Sequence, residues 1–115
     1  MGQYHTLYNV DKKQKVDGLD GYKLLELVGH PKSTATALLL LVANSNGRGG
    51  GDVEDHPLVG AWAGDRIVLQ GDYSEDTDQG HIKNIDEYED ITKQVLELLN
   101  TALQYYWGEL WKMKL

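Results

Sequence analysis

Ser33-Thr34-Ala35-Thr36-Ala37-Leu38-Leu39-Leu40-Leu41-Val42-Ala43 is the stretch whose reading decides the fold. Ser33 or Thr34 offers an N-cap oxygen, and Pro31 closes off the segment before it by disfavouring helix in the residue that precedes it. From Ala35 to Ala43 the side chains are apolar around nearly the whole circumference. The pattern predicts a helix buried on most sides, placed at the centre of the core and running to about Ser45. Asn46-Gly47 stops it, because glycine takes the left-handed C-cap conformation without strain.

On the N-terminal side, Tyr4, Thr6 and Tyr8 alternate with His5, Leu7 and Asn9, which predicts a strand over residues 3–10. Asp11 to Lys13 reads as a turn and Gln14 to Val16 as a short partner strand. Asp17-Gly18 and Asp20-Gly21 are further turn signals. Tyr22 to Val28 fits either a helical turn or a buried extended segment.

On the C-terminal side, residues 47–57 form a glycine-rich, acidic loop. Leu58 to Trp62 and Arg66 to Gln70 read as two strands of a hairpin with Ala63-Gly64-Asp65 at its tip. Asp72 to Asp90 is the most acidic stretch, with Lys83 its single cation, and reads as a long surface loop with one short element near Ile82 to Ile85. Asp90 then caps a long helix. Ile91, Val95, Leu98, Ala102 and Tyr105 form one apolar stripe on it, and Leu96, Leu99, Leu103, Tyr106 and Leu110 a second beside the first. The expectation is a single domain over residues 1–115 of α+β class. In it a small, mainly antiparallel sheet packs against the buried central helix and the long C-terminal helix.

Composition narrows the function. The chain has 115 residues and no cysteine, so disulfide scaffolds, thiol catalysis and Cys-ligated zinc are excluded. Its formal net charge of -7 opposes binding to nucleic-acid phosphates and suits a basic partner. The longest apolar run, Ala37 to Ala43, is far shorter than the roughly 20 residues that span a bilayer, and the N-terminus carries no signal-peptide pattern. A cytoplasmic setting without membrane partners is expected.

Three Gly-Asp pairs, Gly51-Asp52, Gly64-Asp65 and Gly71-Asp72, lie near the only two arginines, Arg48 and Arg66. With Gly64-Asp65 as the hairpin tip, Asp72 falls at the open end, where Arg48, Asp52 and His56 enter. Two carboxylates and an imidazole suit a hard or borderline divalent cation or acid–base chemistry. The glycine run and Arg48 suit an anion. The candidate ligand site is therefore Arg48, Asp52, His56 and Asp72, with no cofactor named and simple turn aspartates as the competing reading. Asp65 reads as a turn aspartate, and Arg66 as bridging to an acidic loop residue. His5, His30, His56 and His81 show no zinc spacing, and neither a P-loop nor a Gly-x-Ser-x-Gly elbow occurs. Trp107 and Trp111, four residues apart on the last helix, are candidate interface anchors.

Met1-Gly2-Gln3-Tyr4, Asn9-Val10-Asp11-Lys12, Lys23-Leu24-Leu25-Glu26, Gly47 to Asp52, Trp62-Ala63-Gly64-Asp65-Arg66-Ile67 and Gly71-Asp72-Tyr73 together give a resemblance. Over residues 1 to about 75 the chain resembles a family of small uncharacterised proteins of phages, prophages, archaea and actinobacteria. That resemblance implies a prokaryotic or viral cytoplasmic setting and carries over no functional residues. The leading expectation is a small acidic binding or accessory protein of a phage or mobile element. It would engage a host protein, such as a defence component, or self-associate. The alternative is a small enzyme or sensor that binds a nucleotide or other phosphorylated ligand, with or without a divalent metal, at the Gly-Asp loops.

Overall fold

The computed structural model describes residues 3–17 and 22–114; of residues 28, 29 and 104–114 it describes the backbone alone. Strand β1 (His5–Asn9) turns through residues 10–13 into β2 (Gln14–Val16), antiparallel, with Leu7 opposite Val16 and Asn9 opposite Gln14. Strand β3 (Ile67–Gly71) pairs with the other edge of β1, antiparallel, from His5 opposite Gly71 to Asn9 opposite Ile67. Strand β4 (Glu89–Asp90) adds to β2 in parallel. The order β3-β1-β2-β4, with helices α1 (Thr34–Val42) and α2 (Thr92–Lys114), makes an α+β fold around a mixed, mainly antiparallel sheet. The ambiguous segment after Tyr22 forms a 3-10 helix at Leu24–Gly29, and two further 3-10 turns occupy Asn46–Arg48 and Ile85–Glu87. Residues 18–21, which hold most of the two Asp-Gly turn signals, lie outside the described residues.

The period of two along the strands divides the apolar side chains between two faces of the sheet. Leu7, Val16 and Ile67 join Ala37 and Leu41 of α1, Ile91, Trp62, and Val95 and Leu99 of α2 in the main core. Tyr8 and Val68 face the other way and pack with Val10, Ile82 and Tyr88. Tyr8 and Tyr88 meet edge to face, with ring centroids 5.3 Å apart. Burial pushes the Tyr8 phenol above its ordinary pKa, with the Asp17 carboxylate adding to the effect. The acidic segment 72–90 therefore covers one face of the sheet and is more than a solvated loop.

Three sequence expectations are corrected. First, α1 ends at Val42, not Ser45, and only Thr34, Ala37 and Leu41 within it are buried. Leu39 is 68% exposed, on the side of α1 turned away from the core that Ala37 and Leu41 enter. Second, Leu58 to Trp62 is a run of turns, so the expected hairpin does not form. Two of its N–H groups go to helix carbonyls instead: Gly60 N–H donates to Leu40 O (2.9 Å) and Trp62 N–H to Leu41 O (2.8 Å). A helix leaves its last carbonyls without intrahelical donors, and this segment supplies them. Third, the two α2 stripes are unequal: Ile91, Val95, Leu98 and Leu99 are buried, whereas Leu96 is exposed. Asp90 does cap the helix start, its Oδ1 accepting from Thr92 N–H at 2.9 Å and from the Thr92 hydroxyl. Those bonds hold the Asp90 carboxyl below the usual carboxylate range.

Candidate functional site

The four residues expected to converge are divided between two places. Arg48, Asp52 and His56 share the loop that follows α1. That loop is folded back on itself: Asn46 Nδ2 donates to Val53 O (3.1 Å), and His56 Nδ1 accepts from Leu58 N–H (3.0 Å). Asp72 stands past the far end of β3, where its Oδ1 accepts from Tyr4 N–H (3.2 Å) and its own N–H donates to Tyr4 O (2.9 Å). The loop adjoins the opposite end, since Trp62 bonds Leu41 of α1 and its indole N–H donates to Gln14 Oε1 (2.8 Å), level with Asn9 and Ile67. Without the hairpin, nothing brings Asp72 back to the loop. Among the described residues, no three His, Asp or Glu side chains group so as to hold a metal ion.

Asp65 and Arg66 take part in a different structure, a clasp between the β1–β2 turn and the entry to β3. Asn9, fully buried, donates from Nδ2 to Asp65 Oδ2 (2.8 Å) and accepts from Lys12 N–H (2.8 Å). Lys12 Nζ pairs with the same Asp65 oxygen. Arg66 donates to Asp11 through its backbone N–H (2.7 Å) and its Nε (2.9 Å). Bonds from Arg66 hold the Asp11 carboxyl below its ordinary range, and bonds from Asn9 and Lys12 do the same for Asp65. Each partner is satisfied within the clasp, so its role is to fix the register of β1 against β3.

Two features remain as surfaces for other molecules. One is the outer face of α1. Ala35, Leu39 and Val42 lie four and three residues apart on one side of the helix, and Leu39 and Val42 are exposed. The 3-10 helix packed against α1 carries two further exposed leucines, Leu24 and Leu25. The loop that follows α1 carries the exposed carboxylates Asp52, Glu54 and Asp55, with Arg48 its one arginine. The sequence reading missed this face because it counted the all-apolar circumference as buried.

The other is a groove of about 160 Å³ beside β3, lined by Gln3, Gln70, Ser74, Asp78, Gly80 and His81 among others. Ser74 Oγ lies 2.8 Å from His81 Nδ1, and Asp76 Oδ1 lies 3.4 Å from His81 Nε2 on the far side of the ring. The loop that carries them is pinned to β3 by the Gln70 carboxamide, which accepts from Ile82 N–H (2.6 Å) and donates to Ile82 O (3.3 Å). No sequence signal marks this trio, since a Ser and a His seven residues apart in a turn-rich segment match no motif.

The side chains of Trp107 and Trp111 lie outside the described residues. Among the described residues no helix is long and apolar enough to cross a membrane. Comparison with protein-family models, with curated proteins and with solved structures finds no match to this chain.

Proposed function

We propose that this chain is a small acidic binding protein whose contact surface is the outer face of α1. One observation carries the reading: a nine-residue helix without a charged side chain turns Leu39, 68% exposed, away from the core. Exposed apolar surface with a polar rim is characteristic of interaction sites. The acidic loop that follows α1, with Asp52, Glu54 and Asp55, and the net charge of -7 select the occupant. A second copy would bring like charges together, whereas a protein with an apolar groove edged by Lys and Arg would meet complementary ones. The resemblance to phage and prophage proteins supports a host protein, such as a defence component, as that partner. No contact unites Arg48, Asp52, His56 and Asp72, so no observation favours the nucleotide-sensor alternative.

The test is direct binding of the isolated, identified partner by calorimetry, with folding of each variant checked by circular dichroism. Leu39→Lys is expected to weaken binding by at least about tenfold, the scale of a central apolar anchor. Reversing Glu54 and Asp55 to lysine is expected to slow association at low salt and to matter less at high salt. Binding indifferent to Leu39→Lys overturns the proposal. So does a wild-type dimer in light scattering that Leu39→Lys converts to monomer, because the occupant is then a second copy. Trp107→Ala with Trp111→Ala, measured alongside, tests whether α2 adds to the same interface.

A further inference from the structure

The groove beside β3 holds a nucleophile already paired with a base. The Asp76 carboxylate is acceptor-only, which favours the His81 tautomer with hydrogen on Nε2. Nδ1 is then the acceptor for the Ser74 hydroxyl at 2.8 Å. This is the relation of an activated serine to its base and the base to a carboxylate, with the two ring nitrogens exchanged relative to the usual serine triad. Ser74 and His81 line the groove and Asp76 does not, so the reacting pair is open to a ligand and the carboxylate stands behind it. Gln3 forms part of the wall, pressed so closely on Gly71 that a Cβ there would lie 2.0 Å from its Oε1.

We infer that this groove is a hydrolytic site for small acyl esters, with Ser74 as nucleophile and His81 as general base. A groove of about 160 Å³, open to solvent, suits a short acyl group such as acetyl or propionyl. Ser74 Oγ adds to the ester carbonyl carbon while its proton passes to His81 Nδ1, and the carbonyl π pair moves onto oxygen. The Gln3 carboxamide, part of the groove wall, is the group we assign as donor to that oxyanion. The pair returns, the bond to the alcohol oxygen breaks, and the departing alkoxide takes the proton from Nδ1. Water then attacks acyl-Ser74 with Nδ1 as base. The proton goes on to Ser74 Oγ, and the carboxylic acid leaves.

The experiment uses the full chain, a fluorophosphonate as serine probe and p-nitrophenyl acetate as ester. The expected result is one fluorophosphonate adduct mapped to Ser74 by peptide mass spectrometry and absent in Ser74→Ala. Loss of the base in His81→Gln is expected to slow both labelling and ester turnover by about 100-fold or more. Should His81→Gln fail to fold by circular dichroism, Asp76→Asn decides. Asp76 is 85% exposed, and a labelling rate lowered about two- to fivefold is the expectation for so solvated a carboxylate. No adduct at Ser74 in the folded wild type overturns the inference. So does labelling unchanged in His81→Gln, or, where that variant is unfolded, labelling unchanged in Asp76→Asn.

Discussion

Gly60 and Gly64 sit four residues apart with nearly the same φ, 82° and 83°, yet their surroundings differ. A Cβ on Gly60 would lie 2.7 Å from Ala43 O at the end of α1, while a Cβ on Gly64 would meet nothing within 4 Å. Alanine at Gly64 is expected to cost the left-handed strain alone, about 1–2 kcal/mol. Alanine at Gly60 adds displacement of the α1 terminus, about 1–3 kcal/mol more. Urea unfolding of the two variants measures the difference, and equal losses would mean that the 58–62 segment does not press on α1. The pair also shows why local patterning failed there. Gly64 was legible as a turn glycine from its neighbours. Gly60 serves a helix some twenty residues earlier, and the apolar run around it looks like a strand because Trp62 is buried against that helix.

At the scale of elements, the well-read parts are those whose partners are close in sequence. β1 and β2 join through a four-residue turn, and α2 announces itself through Asp90 and a wide apolar stripe, so alternation and periodicity identified all three. The expected hairpin failed because β3 pairs with β1, about sixty residues away, and the pairing is locked by the clasp of Asn9, Asp11, Lys12, Asp65 and Arg66. The expected site rested on that hairpin, so its Asp72 went with it. The clasp has a pH signature. Asp11 and Asp65 have folded pKa values below their unfolded ones, so their contribution is present above the unfolded value, about 3.9, and lost as pH falls through the folded values. Asp90 acts in the same direction at the α2 cap. The urea midpoint of the wild type is expected to fall from about pH 4 downward. In Asp11→Asn with Asp65→Asn, the stability is lower at pH 7 and the acid decline shallower. An unchanged acid slope in the double variant would remove the clasp as its origin.

For the molecule as a whole, the two faces of the sheet have unequal cores. Among the described residues the helix side buries eight in one cluster, including Trp62, Leu7 and Leu41, whereas the loop side buries three, Tyr8, Ile82 and Tyr88. Local opening requires only the loss of the contacts that a segment itself makes, so the loop side should open without unfolding the helix side. Segment 72–88 is held there by the small cluster, by the Gln70 carboxamide bridging both backbone groups of Ile82, and by Asp72 bonded to Tyr4, while the Ser74–His81 bond closes the segment on itself. Gln70→Ala removes both Ile82 bonds at once. Each hydrogen bond contributes about 1 kcal/mol net, so global stability is expected to fall by about 1–2 kcal/mol while the Ile82 amide gains exchange out of proportion. Amide hydrogen exchange by NMR reads the two effects separately. Leu7 and Val16 amides should track the global loss, and Ile82 should exchange faster than that loss accounts for. The same substitution loosens the loop that aligns His81 with Ser74, so fluorophosphonate labelling of Ser74 should fall in a protein that is still folded. If all three amides shift together, the sheet and its acidic cover are one cooperative unit, and the groove is as rigid as the core beneath it.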